Sequence, residues 1–284
     1  MGELRDLVLR DYRINERRSI GRARAAFAHL SQLEVVPLRG AHDVTSRYAA
    51  RRTRAGAAAA TVRYELAMLR RGLTLAHRAG RIEARPALPT IRVQNARQGF
   101  FTDQELELLI AALPDPVDDM ARFASITGWR ISEIRSLTWD QVDRRAGLIR
   151  LGPGTTKNGE GRVFPYGAHP ELAHLFRWLY SRRMGEHVFH RSGRRVKHVA
   201  GSWNLACRKL KLGRRVFHDL RRTAVRNMER AGVPRSVQMK LIGLKTESIH
   251  HRYAITNEED LARGVALLAA KERPGGSRTW EASS

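Results

Sequence analysis

The 284 residues are enough for two domains with separate cores, and 52 lysines and arginines against 28 acidic residues leave a formal charge of +24. An excess of that size implies a polyanionic partner, nucleic acid above all, without choosing between DNA and RNA. The single cysteine, Cys207, excludes an internal disulfide and a multi-cysteine zinc site; no apolar run approaches the ~20 residues of a membrane span, and the first residues carry no signal-peptide core or myristoylation pattern, so a cytoplasmic protein is expected.

Residues 1–95 read as helical. Leu4, Leu7 and Val8 share one face, as do Ala26, Phe27 and Leu30, and a third helix runs from Val62 through Leu66 and Leu69 to Ala76, where Gly80 ends it. Through residue 90 there are 18 arginines, no lysine and 8 carboxylates, so this part is basic by itself. The stretch from Arg85 to Gly99 has two prolines and little periodicity and reads as a linker, either a plain tether or one whose arginines follow a phosphate backbone.

Thr102 with Glu105 three residues on is a capping box and starts a helix through Leu106, Leu109 and Ile110, stopped near Pro114. A further helix begins at Asp118 and ends near Gly128, and its first-turn acids suit the helix dipole without implying a metal. Arg130 follows at a helix junction. Glu133, one turn on, either orients it or forms an ordinary surface pair. Leu148–Leu151 reads as a strand, and Asn158-Gly159 signals a hairpin with Lys157 beside its turn. Lys157 is the first of only seven lysines; it is either a chance occupant of a tolerant tip or a place where a cation must be able to release a proton, which arginine in effect cannot do.

Leu172 to Tyr180 reads as a helix with Leu175, Phe176 and Leu179 inward. His187 and His190 lack further ligands at metal spacing, and no glycine-rich nucleotide loop is present. Arg191 to Arg230 holds 13 lysines and arginines against 2 carboxylates and reads as the surface facing the polyanion. Within it, His218 and Arg221 share a helical face. Gly232 and Pro234 separate that helix from the next, Gly243 closes the second, and a short third helix from about Thr246 carries Tyr253. One more helix follows from Glu258, and after Lys271 the chain reads as a flexible tail with Trp280 its one candidate anchor.

The run Thr127-Gly128-Trp129-Arg130-Ile131-Ser132-Glu133, the hairpin Lys157, His218-x-x-Arg221 and Tyr253 ten residues after Gly243 together resemble the tyrosine recombinase (phage integrase) family, over most of the chain. The resemblance implies a mainly α fold with a small antiparallel sheet: a helical core-binding domain at 1–84, a linker at 85–100, a catalytic domain at 101–271 and a tail at 272–284. It implies a site-specific recombinase or integrase, working on double-stranded DNA as a tetramer on two sites, near the nucleoid, with no cofactor and no metal. Arg130 and Arg221 would stabilise the charged phosphoryl transition state, His218 would add a hydrogen bond and accept the Tyr253 proton, and Lys157 would protonate the leaving 5′ oxygen. The chain departs from the family at Leu244, where a His or Trp is usual; His250, three residues before Tyr253, is a candidate substitute donor, and Leu244→His is expected to raise the cleavage rate. A type IB topoisomerase and a DNA-binding relative without activity are the alternatives. The lack of room before residue 1 for a separate arm-binding domain points to a simple recombinase.

Overall fold

The chain folds as two units, Met1–Asn95 and Ala96–Ser284. The structure, a computed structural model, describes residues 1–17, 19–33, 39–93, 99–152, 161–244, 246–247, 262 and 265–266. Lys157, His250 and Tyr253, the helices expected around Tyr253 and from Glu258, and the tail after Lys271 lie outside the residues whose structure is described, apart from Thr246, Glu247 and three positions near 265.

The first unit is built from α1 (Gly2–Ile14), α2 (Ile20–Leu30), α3 (Ala41–Arg54) and α4 (Ala59–Arg78). Val8 and Tyr12, Phe27 and Leu30, and Val62, Leu66 and Leu69 meet in one core, against which Leu88 and Ile91 of the following segment also pack. The apolar spacing picks out α1, α2 and α4 but not α3, whose inward face is Ala41, Thr45, Tyr48 and Ala49 in place of a leucine stripe. Its anchor is polar. Tyr48 Oη donates to Glu65 Oε2 at 2.7 Å and Arg52 Nη2 donates to Glu65 Oε1 at 2.8 Å. Burial would raise the pKa of Glu65, but Arg52 and Tyr48 override it and hold the carboxylate ionised. A buried charge of this kind is tolerable only because both oxygens are engaged.

The second unit starts with α5 (Asp103–Ala111), opened by the Thr102/Glu105 capping box, and α6 (Val117–Thr127), closed by Gly128 in the left-handed region at φ 65°. A short α7 (Ile131–Arg135) leads into an antiparallel sheet, β1 (Val142–Asp143), β2 (Leu148–Leu151) and β3 (Arg162–Phe164), in that spatial order. Then come α8 (Pro170–Ser181), the small hairpin β4 (His190–Arg191) and β5 (Arg194–Arg195), α9 (Ala200–Lys209), α10 (Asp219–Arg230) and α11 (Arg235–Ile242). Phe123 of α6 lies at the heart of the core, in ring contact with Trp129, Phe176 and Phe189.

Two features of this unit position the site. Gly128 lets three helices converge: a Cβ there would lie 3.2 Å from Ala224 Cβ on α10 and 3.5 Å from Ile242 on α11. The β2–β3 register pairs Ile149 with Phe164 and Leu151 with Arg162. Strand side chains alternate between faces, so with Phe164 inward Arg162 must also point inward, while Val163 between them is exposed. An arginine therefore occupies a core-facing position across from a leucine.

Candidate active site

Arg130 is the N-cap residue of α7, and its placement begins with the preceding turn. Thr127 Oγ1 donates to Phe123 O at 2.7 Å and accepts from Trp129 N–H at 3.3 Å, tying off the end of α6. The left-handed turn at Gly128 then leaves its carbonyl pointing at α10, where Arg221 Nη1 donates to it at 2.7 Å. Arg221 is 1% exposed, whereas His218, three residues before it, is exposed. The same bond joins the two motifs that stand far apart in the chain, Thr127-Gly128-Trp129-Arg130 and His218-x-x-Arg221.

His218 immediately precedes α10 and is placed by its neighbours. Asp219 Oδ2 accepts from Val216 N–H at 2.8 Å, Trp203 Nε1 donates to Arg215 O at 3.1 Å, and Thr223 Oγ1 on the first turns of α10 accepts from Phe101 N–H at 3.0 Å. Solvent reaches the His218 ring, yet protein surrounds it densely enough that desolvation first, and then the charges of Arg221 and Arg130, push its pKa down to about 4, with Asp219 pulling the other way. The imidazole is therefore neutral at pH 7 and able to accept a proton. Arg130 and Arg221 both act on the His218 charge, as does the neighbouring Arg222.

Glu133 settles the alternative left open by its spacing. It is buried, not a surface partner, and it joins two arginines. Arg130 Nη1 donates to Oε1 at 2.9 Å, and Arg162 Nη2 donates to Oε2 at 2.7 Å. Burial would raise the pKa of Glu133, but Arg162 and then Arg130 hold the carboxyl below its usual range. Burial also lowers the pKa of Arg162, from a value so far above neutrality that the guanidinium stays charged. Arg162 also donates through Nη1 to Ile242 O at 2.6 Å and lies 4.1 Å over the Trp129 ring. Sequence reasoning passed over Arg162; the signal available was parity, since the aromatic Phe164 two residues on marks the inward face.

Leu244, which stands where the family usually has His or Trp, is 7% exposed and packs with Val225 and Ile242. The basic stretch from Arg191 to Arg230 is not one surface either: α9 buries Trp203 and Cys207, and α10 buries Arg221 and Arg226. Asp115, Asp118 and Asp119 converge at the start of α6, where Arg182 Nη2 donates to Asp115 Oδ2 at 2.6 Å. Burial, and then the neighbouring Asp118 and Asp115 charges, push Asp119 up to about 6.

A cluster of fixed arginines beside a neutral histidine suits a singly charged, multi-oxygen anion, and it can stabilise further negative charge developing on that anion. Residues 100–260 match the model of the phage integrase family. The chain belongs to that family. The integrase of Salmonella phage P22 is 24% identical over 214 residues, which cover 70% of this chain and 54% of that relative. The chain thus spans about half the length of the curated relative it matches. Among solved structures, the Tn1549 transposon integrase in complex with circular intermediate DNA is 16% identical at a TM-score of 0.71, covering 93% of this chain and 99% of that one. The lambda integrase dimer bound to a COC′ core site is 15% identical at a TM-score of 0.72, covering 88% of this chain and 96% of that one. At such identities the likeness is one of fold, and it spans both units of this family member.

Proposed function

We propose that this phage integrase family member is a site-specific tyrosine recombinase, which cleaves and rejoins DNA strands through a covalent phosphotyrosyl intermediate. The observation that carries the reading is the bond between Arg221 and the Gly128 carbonyl, which brings Arg130, His218 and Arg221 together within the segment that matches the family. Tyr253 Oη attacks the scissile phosphorus, its proton passing to the neutral His218. Arg130 and Arg221 stabilise the added charge on the non-bridging oxygens, and the bond to the 5′ oxygen breaks as Lys157 protonates it. The product is a 3′-phosphotyrosine and a free 5′-hydroxyl. Attack by a 5′-hydroxyl from another strand reverses the step onto a new partner. Every charge this chemistry needs comes from side chains, so no cofactor or metal is invoked.

The partner on this reading is double-stranded DNA. The core-binding part at 1–84 would grip one side of the duplex: Arg47, Arg51 and Arg54 recur along the exposed face of α3 at spacings of four and three residues. The linker at 85–100, the catalytic part at 101–271 and the tail at 272–284 follow in order. A tetramer on two DNA sites is supported by the lambda integrase tetramer bound to a Holliday junction, at a TM-score of 0.69 to this chain. Such a protein would work at the nucleoid.

The test is covalent capture. Nicked duplexes with a randomised core are incubated with the protein, denatured, and adducts are sequenced and mapped to the modified residue. The expected adduct is on Tyr253, survives EDTA and is lost in Tyr253→Phe while DNA binding persists. Binding with no adduct across the whole library would leave a DNA-binding protein without this activity, and an adduct elsewhere would replace the nucleophile. Nicking and resealing without exchange between two captured sites would support a topoisomerase.

A further inference from the structure

We propose that Arg162 is a positioning residue for Arg130, acting through the carboxylate they share. This rests on the recombinase reading for its consequence, though not for its geometry. Glu133 has two oxygens, and an arginine facing a carboxylate alone tends to take both in a planar, two-bond fork. Here Arg162 occupies Oε2 at 2.7 Å, so the Arg130 head is limited to Oε1. The Arg130 backbone N–H also donates to Oε2, at 3.2 Å, and helps fix the carboxylate. The N–H groups of Arg130 beyond Nη1 are therefore not drawn down onto Glu133.

Arg162 is built to hold this post. Its other terminal nitrogen is bonded to Ile242 O, and its Cζ lies 4.1 Å from the ring centroid of Trp129, the residue before Arg130. The side chain of Arg162 is 5% exposed against 20% for Arg130, so one guanidinium is an anchor and the other is open to a ligand. Gly243 makes the room: a Cβ at that position would fall 2.7 Å from Arg162 Nη1. Arg162 begins β3, five residues after Lys157 in sequence, and Ile242 ends α11, eleven residues before Tyr253. One buried side chain thus ties the Arg130 carboxylate to the two segments that flank the remaining site residues in sequence.

Two measurements test the proposal. The first needs no DNA. His218 feels the Arg130 charge, so its imidazole titration, followed by NMR, reports where Arg130 sits. In Arg162→Met the freed oxygen draws Arg130 onto Glu133, and the His218 midpoint is expected to rise, in the direction that Arg130→Met moves it. An unmoved midpoint in the folded variant overturns the proposal. The second compares single-turnover cleavage at saturating DNA on a phosphodiester and on a methylphosphonate, in which a neutral methyl replaces one non-bridging oxygen. A misplaced Arg130 is expected to cost about 10- to 100-fold on the phosphodiester, the span of one charge-assisted hydrogen bond, and much less on the methylphosphonate. Equal losses on the two substrates would mark a purely structural role and overturn the proposal. Should Arg162→Met not fold, Arg162→Lys keeps a charge for Glu133 but cannot also serve Ile242, and the same two readouts apply. If the wild type cleaves no DNA, the recombinase reading fails by itself, and the His218 titration still decides the role of Arg162.

Discussion

Replacing Gly128 by alanine tests whether the closeness of three helices, rather than backbone conformation alone, holds the candidate site together. The cost has two parts. At φ 65° an L-residue is expected to pay roughly 1–2 kcal/mol. The added methyl also meets Ala224 Cβ at 3.2 Å and Ile242 at 3.5 Å, an overpacking expected to cost about 1–3 kcal/mol more. Together that is about 2–5 kcal/mol, or a fall in Tm of roughly 4–20 °C for a unit of this size. Gly232→Ala is the matched control. Its φ is 72°, but nothing lies within 4 Å of the added Cβ, so only the first part applies, about 2–8 °C. All five tryptophans follow residue 95, so thermal melts read by tryptophan fluorescence report on the second unit alone. Since the Gly128 carbonyl accepts from Arg221, covalent capture should fall in the Gly128 variant and not in the control. Equal drops in Tm for the two variants would refute the reasoning.

The inward packing of Leu244 argues against the gain in cleavage rate expected for Leu244→His. Leu244→His puts an imidazole among Val225 and Ile242 and should destabilise the second unit by about 1–3 kcal/mol without accelerating cleavage; a stable variant cleaving tenfold faster would show the residue to face the phosphate. The lowered pKa of His218 ties stability to pH. The folded state binds fewer protons than the unfolded chain between about pH 4 and 6.5, so this contribution is fully present above 6.5 and is lost as pH falls toward 4. His218→Gln should flatten that part of the Tm profile, and identical profiles for variant and wild type would remove the assignment.

Much of this protein was legible locally. The Thr102/Glu105 capping box, the helix ends at Gly128 and Gly243, the strand at Leu148–Leu151 and the motif residues Arg130, His218 and Arg221 all rest on signals a few residues wide, because caps, turns and side-chain periodicity are decided within a turn or two of chain. What the sequence left open was which charges are buried. Helix α3 hides its inward face behind Thr45 and Tyr48, and its anchor is a carboxylate on the next helix. Glu133 is a surface partner or a bridge depending on Arg162, 29 residues away; Arg162 in turn needs Ile242, 80 residues on, and Arg221 needs the Gly128 carbonyl across 93 residues. An arginine costs too much to bury unless distant groups receive it. Its place is therefore set only when those groups are brought together, and the tertiary fold alone decides that.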